Sequence, residues 1–550
     1  MKRKFSIFEY FLLIVVIFFV VGYIVFPLFA LFRESFASQS GFNLESYKNL
    51  FNPTVISSAF NSIILSVITV LGSAMIGIAL AYYFHFYKIH YKNFFNIVFL
   101  IPLATPPIVG VVSFLYLLSD NGILSRILFA IFSKNILTGF EGWKAIIIIH
   151  LFSFYPLFFL FASASFDKLD YNVIDASNSL GASKWTTFKR IVLPFLIPSA
   201  ASAGIITFMA SMASFSAPFV FGGSLRFLTT EIYYSKINGD NGLTSALSIL
   251  LTIISVLFLF LLKKFRTSNE YSLRMKGTIK KIDDSKLYKS GIAGKILFFI
   301  SAAAVLMPVL TLLYLSLIPE GSLIRNYFAD TLTIENYRKI FTEDSVAVPY
   351  YNSLVMSLIA VAATILIGLP SSYFIAKKKI KGNSLLEGLV TLPYGIPGTV
   401  IAICLIFSFN SVNVFSFGEI LVGTFVIMPL AYTIRNIPAI TQSLNSGFNN
   451  IDPSLEEASY SLGAGRFKTF FKIIFPLIIP ALISGALIVF INSFGEFVSS
   501  ILLYTFSTKT ISIDIYSQLR LYNTGGSAAS GFIMFIIVLL ALIFSRRKIA

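Results

Sequence analysis

The chain has 550 residues, of which 56% are hydrophobic and 12% charged, with a mean hydropathy of +0.83. So few polar side chains cannot cover a soluble globule of this size, which excludes a soluble enzyme or binding module and points to a polytopic membrane protein. The formal net charge of +17 raises nucleic acid as a partner, but the basic runs flank apolar segments, where they orient helices and touch anionic lipid; membrane lipid is expected as a partner and nucleic acid is not. The lone cysteine, Cys404, lies in an apolar run and leaves neither a disulfide framework nor a Cys metal site.

A hydrocarbon core of about 30 Å needs about 20 apolar residues as a helix. By that rule spans are predicted near 11–32, 60–84, 96–118, 145–165, 195–217 and 243–262, and then near 296–318, 352–376, 388–408, 418–440, 477–500 and 530–544. The first follows the sequence MKRK, yet it is too long for a signal-peptide core and lacks a small-residue cleavage site, so it is read as a retained helix. The connection at 409–417 is short enough to require a tight hairpin. With the N-terminus inside, the seven segments on the cytoplasmic side hold most of the 42 Lys and Arg, so both termini and residues 263–295 are expected in the cytoplasm and residues 319–351 outside.

The chain repeats itself. NLESYKNLF at 43–51 answers TIENYRKIF at 333–341, FNSIILS at 60–66 answers YNSLVMS at 351–357, and IPLATPPIVG at 101–110 answers LPYGIPGTVI at 392–401. The expected fold is all-α with 12 transmembrane helices. Residues 1–262 form a first half, 263–295 a cytoplasmic linker and 296–550 a second half. Six spans per half give both halves the same orientation, as a parallel pseudo-dimer about the membrane normal.

The strongest repeat is DASNSLGASKWTTFKRIVLPFLIP at 175–198 against EASYSLGAGRFKTFFKIIFPLIIP at 457–480. Each copy reads as a short polar helix, a Gly break, an amphipathic helix and a Pro-marked entry into an apolar span. Gly181 and Gly463 tolerate the positive φ of a helix C-terminus, and the acids Asp175 and Glu457, about two turns earlier, are expected to face a basic partner surface. The spacing acid-Ala-small-x-x-Leu-Gly-Ala, then Phe, then Ile-x-x-Pro, resembles the "EAA" loop of the transmembrane subunits of bacterial ABC importers of the type I fold. The first copy departs from it with Asp175 for Glu and Ser177 for Ala, the second with Ser459.

The resemblance implies that the loops are coupling helices seated on two copies of a cytoplasmic ABC ATPase. Asp175, Ala176, Gly181 and Ala182 would dock in the first loop, and Glu457, Ala458, Gly463 and Ala464 in the second. It also implies a bacterial inner membrane and a periplasmic or lipid-anchored substrate-binding protein. LFSFYPLFFL, FSAPFVFGGS and LTTEIYY resemble permeases for iron(III), while LPYGIPGTVIAI also resembles thiamine and aminophosphonate permeases. Iron(III) or its chelate is the first choice of substrate, with thiamine, an aminophosphonate or a polyamine as alternatives.

No phosphate-cradling G-x-x-x-x-G-K-[ST] occurs; SGIAGK, ending at Lys295, lacks the first Gly and the final Ser or Thr. Energy must come from a separate ATPase or an ion gradient. The predicted spans contain two charges, Arg435 and Glu496, with Glu419 at an edge, which is few for the proton relay of a 12-helix secondary transporter. No catalytic constellation appears for a membrane enzyme or flippase, and no cofactor or metal site is expected. Glu496 is the candidate pathway or gate residue, for a cationic substrate, against the alternative of a structural acid near the external helix end, hydrogen-bonded to its neighbours. Arg435 is expected near the cytoplasmic end of its helix, where it snorkels without a transport role. His85, His90 and His150 lack ligand spacing, and His150 is expected to pack within its helix. Pro102, Pro106, Pro107, Pro393 and Pro397 will break helical hydrogen bonds, for kinks or for a cavity lining.

Overall fold

The computed structural model describes residues 7–38, 41–270, 287–289, 291–322, 328–378 and 382–547. Most of the predicted linker, 271–286 and 290, therefore lies outside the described residues. The first half contains α1 (Ile7–Ser35), α2 (Pro53–Phe86), α3 (Lys92–Ala104), α4 (Pro107–Leu118), α5 (Gly142–Phe166), α6 (Tyr171–Ser179), α7 (Lys184–Met212) and α8 (Asn241–Glu270). The second contains α9 (Ile292–Ser316), α10 (Ser345–Lys378), α11 (Asn383–Gly395), α12 (Gly398–Phe409), α13 (Ile427–Asn449), α14 (Pro453–Ser461), α15 (Arg466–Phe494) and α16 (Thr524–Arg547). Strand structure among the described residues is limited to the pair Ala37–Ser38 and Gly41–Phe42 and a bridge between Tyr87 and Tyr288.

Among the described residues ten helices are long and apolar enough to cross a membrane, and α11 with α12, bent by 109°, makes an eleventh if taken as one span. The predicted span at 418–440 appears as α13, shifted to Ile427–Asn449. The shift has a backbone cause: Phe417, Gly418 and Gly423 all adopt positive φ (53°, 86° and 86°), which a right-handed helix cannot contain.

Within each half the most extensive helix pair joins a stripe of small residues to a bulkier partner. Ser58, Ser62, Ser66, Thr69, Ser73 and Gly77 of α2 are buried against α5, and a Cβ on Gly77 would sit 2.5 Å from the Tyr155 carbonyl oxygen. All of these hydroxyls but that of Ser73 donate within the helix, Ser62 Oγ to the Ser58 carbonyl at 2.9 Å and Ser66 Oγ to that of Ser62 at 2.8 Å. Gly368 of α10 allows the equivalent approach to Ile440 of α13. With lipid tails as apolar as leucine, such close backbone packing is what holds membrane helices together.

The first helix of each half crosses to the other half. Tyr23 and Phe26 of α1 lie 5.8 and 6.2 Å from Phe409 of α12, and Tyr23 Oη donates to the Phe415 carbonyl at 2.8 Å. Reciprocally, Phe298 of α9 packs on Phe95 and Phe99 of α3, at 4.8 and 5.2 Å. The two largest apolar cores accordingly mix residues of both halves.

Candidate functional site

Of the five prolines expected to break helical hydrogen bonds, Pro106 and Pro397 mark breaks with the same geometry. Ile101–Ala104 and Leu392–Gly395 tighten into 3-10 turns; Thr105 and Ile396, each preceding a proline, are pushed into the extended region. Pro106 and Pro397 then take φ −57° with ψ 146° and 147°, and a new helix starts at the next residue. The two breaks face each other across a cavity of about 390 Å3. Met209, Ala210 and Ala213 at the end of α7 and the equivalent Ile491, Asn492 and Gly495 at the end of α15 complete its walls, so it lies between the two halves. Gly495 keeps the halves close: a Cβ there would come within 3.1 Å of Pro106 Cβ.

Among the described residues this cavity is lined by one acid and one base, Glu496 and Arg435. Arg435 Nη1 lies 2.5 Å from Glu496 Oε1. The carboxylate is 2% exposed and also accepts from the backbone N–H and hydroxyl of both Ser499 and Ser500, at 2.8 to 3.2 Å. The guanidinium rests against Gly398, where a Cβ would come within 2.6 Å of Nη1, and its side chain remains 34% exposed. Beside it Asn492 donates to Asn436 Oδ1 at 3.0 Å, and Asn436 donates to the Tyr432 carbonyl at 2.9 Å.

Arg435 is thus not a snorkelling residue at a helix end. Because α13 begins at Ile427, Arg435 stands roughly 21 Å, at about 1.5 Å per residue, from the end that leads to the loop at 453. The signal that finds it is the repeat: 282 positions earlier stand Ser153 and Ser214, so the first half carries neither charge. In its place His150, fully buried, meets Thr69, Ser211 and Ser214 at 3.1, 3.2 and 3.0 Å. His85 instead lies 3.4 Å from Asp167, and His90 is exposed.

The two repeated loops are built alike. Asp170 and Asp452 cap α6 and α14 by accepting from the N–H of Asn172 and Ser454; that bond holds the Asp452 carboxyl below its ordinary pKa. Each helix ends in a Schellman motif: Gly181 and Gly463 have φ of +76° and +79°, and Ala182 N–H and Ala464 N–H each donate to the carbonyl five residues back at 3.1 Å. Ser177 Oγ meets Thr187 Oγ1 at 2.9 Å and Ser459 Oγ meets Thr469 Oγ1 at 2.8 Å, tying the helix before the turn to the helix after it. Ala176, Glu457 and Ala458 are exposed, whereas Asp175 is half-buried. Leu180 and Leu462, the motif's leucines at the turn, are 88% and 87% exposed and Trp185 and Phe467 both 69%, which together make an apolar tip.

Both loops lie on one face. Tyr288 bridges Tyr87 at the end of α2, and Lys184 of the first loop sits 4.0 Å over its ring. Glu9 of α1 pairs with Lys378 at the end of α10 (2.5 Å) and with Arg466 of the second loop (3.4 Å). Since α1 and α2 are joined at their far ends, both contacts fall at the same end of the helices.

The family model for the binding-protein-dependent transport system inner membrane component matches residues 73–268 and again 364–547. The chain belongs to that family. As a permease subunit of an ABC importer it is similar, at 28% identity over 544 residues, to the ferric transport system permease protein FbpB of Actinobacillus pleuropneumoniae, covering 97% of this chain and 76% of that one. The permease is 28% identical over 525 residues to the putative ferric transport system permease protein FbpB 1 of Haemophilus influenzae, covering 93% and 80%. It is 26% identical over 461 residues to the probable ABC transporter permease protein y4fN of Sinorhizobium fredii, covering 83% and 80%. The permease therefore carries the family's domain twice in one chain, and its multiple membrane spans fit an inner membrane component.

Proposed function

We propose that this chain forms the translocation pathway of an importer for iron(III), driven by two cytoplasmic ATPase subunits and supplied by a periplasmic or lipid-anchored binding protein. The observation that carries the reading is the pair of matching loops on one face, each offering a rigid Gly turn with a bare leucine at its tip. In this reading Asp175, Ala176, Gly181 and Ala182, with Glu457, Ala458, Gly463 and Ala464, seat in the ATPase subunits. Leu180 and Leu462 fill an apolar socket there. Closure of the ATPases on ATP moves the loops, and the two halves, divided as 1–262 and 296–550 around a linker, rock about the cavity. Arg435 and Glu496 line the path. Both termini lie on the ATPase side.

Iron is the choice because two of the relatives matched over more than nine-tenths of this chain are named for ferric transport. The test is ATP-driven uptake of 55Fe by vesicles holding the permease with its ATPase and binding-protein partners. Uptake that needs ATP and all three components is expected; uptake by the permease alone under an ion gradient would refute the proposal.

A further inference from the structure

We propose that cargo crosses this cavity as an oxyanion-bearing species, iron(III) wrapped in phosphate or carboxylate oxygens rather than a bare cation, and that Arg435 selects it. The metal in this statement rests on the iron reading above; the charge rests on the cavity.

The acid beside the path has no capacity left for a metal. A carboxylate offers about four lone-pair sites, and Glu496 already meets five donors: two backbone N–H groups, two hydroxyls and the Arg435 guanidinium. It is also 2% exposed. Among the described residues no three His, Cys, Asp or Glu side chains converge anywhere to hold a metal ion. A hard trivalent ion leaving water needs oxygen ligands, preferably anionic ones, and apart from the occupied Glu496 the described lining offers only neutral oxygens such as those of Asn436 and Asn492, so the anionic oxygens travel with the ion.

The base is differently placed. Arg435 gives Nη1 to Glu496, while Nε and Nη2 meet no acceptor among the described residues, and a third of the side chain is open to the cavity. A planar guanidinium edge with parallel N–H donors matches a carboxylate or phosphate group two bonds at a time. Glu496 fixes the guanidinium plane from behind, and Gly398 leaves it room. A bare cation would be repelled at short range by the same group. Glu496 balances the charge of Arg435 but is buried behind it, so the N–H edge and not the carboxylate is what the cavity presents; Ser153 and Ser214, at the equivalent positions of the first half, add no further charge.

The experiment uses vesicles holding the whole complex, with 55Fe supplied as its complex with 32P-phosphate in one arm and 14C-citrate in the other. The expected result is that one of the two anions enters with the iron, at one or more per ion. Arg435→Gln should slow that uptake by at least about tenfold, the size of a lost charged hydrogen bond, with Arg435→Lys retaining part of it. Iron entering without either label, or at an unchanged rate in a folded Arg435→Gln complex, would overturn the inference and leave the iron reading standing. A labelled anion entering without iron would remove the iron reading and leave the charge selection. Entry of neither iron nor anion removes both. The label ratio needs no variant, so it decides even if Arg435→Gln fails to assemble.

Discussion

Ser459 Oγ and Thr469 Oγ1 lie 2.8 Å apart, bridging the helix before the Gly463 turn to the helix after it. Thr469 also donates to the Gly465 carbonyl at 3.2 Å, so it keeps a partner when Ser459 is removed. Ser459→Ala is therefore expected to cost about 0.5 to 1 kcal/mol, at the low end for a net hydrogen bond. The double variant Ser459→Ala/Thr469→Val should cost less than the sum of the two singles, since both remove the same bond. Thermal unfolding of the detergent-solubilised protein measures this; strict additivity would show that the bridge contributes nothing.

The turns should fail through the backbone alone. Nothing lies within 4 Å of a Cβ built on Gly181 or Gly463, so space is not the constraint, but their φ of +76° and +79° costs an L-residue about 1 to 2 kcal/mol. A β-branched residue is the worst fit and asparagine the best. Gly463→Val and Gly181→Val are expected to abolish ATPase pull-down while membrane insertion is retained, with Gly463→Asn largely competent. Gly463→Val should be the more severe, because Glu457 is exposed to a partner and Asp175 is half-buried. Equal pull-down by wild type and both valine variants would deny these turns a docking role.

Glu9 is 8% exposed and stands between Lys378 and Arg466, whose side chains are 17% and 36% exposed. Glu9→Gln leaves two partly buried cations facing each other. A loss of about 2 kcal/mol is expected, below the value for a fully buried pair because the cations reach water. The unfolding midpoint in low and high salt reports it: the deficit should shrink as salt screens the cations.

Removing either member of the Arg435–Glu496 pair should not be equivalent. Glu496→Gln presents an amide N–H2 to donors that had a carboxylate, within a fully buried pocket, and is expected to cost about 3 kcal/mol. Arg435→Gln leaves Glu496 its four serine donors and should cost about 1 kcal/mol. Comparing the two unfolding midpoints checks the order, and a larger loss in Arg435→Gln would contradict it.

Topology can be read with a membrane-impermeant thiol reagent after Cys404, 3% exposed, is replaced by Ala. Thr331→Cys, in an exposed stretch before the second half's second span, should label in intact cells. Lys289→Cys, exposed beside the first loop, should label only after permeabilisation. The reverse pattern would invert the orientation.

The loops and the two halves were legible because each is a local pattern written twice: a Gly at fixed spacing between two short helices defines a turn without reference to the rest of the chain, although the caps fall on Asp170 and Asp452 and not on the pattern's acids, Asp175 and Glu457. The site was legible only in part. Pro106 and Pro397 announce broken helices, but nothing in either string says that the breaks face each other. Glu496 stood out as a buried acid, whereas its partner was misplaced because the predicted span from 418 contains two glycines with positive φ, Gly418 and Gly423. The exchange of first helices left no mark at all, since a Phe-rich helix such as α1 is equally suited to lipid and to Phe409. Glu9 likewise reads as an ordinary polar flank until Arg466, far along the chain, is folded against it.

The charge pair in one half has a consequence for gene architecture. Were the pathway assembled from two identical subunits, each would bring its own arginine to the same cavity of about 390 Å3, and two guanidinium groups would confront each other across the axis. Joining the halves in one polypeptide removes that constraint, because Ser153 can remain neutral while Arg435 does not. The exchanged first helices then ensure that each half meets its unlike sibling. A duplicated, fused permease is free to evolve a lopsided pore, which a symmetric pair is not.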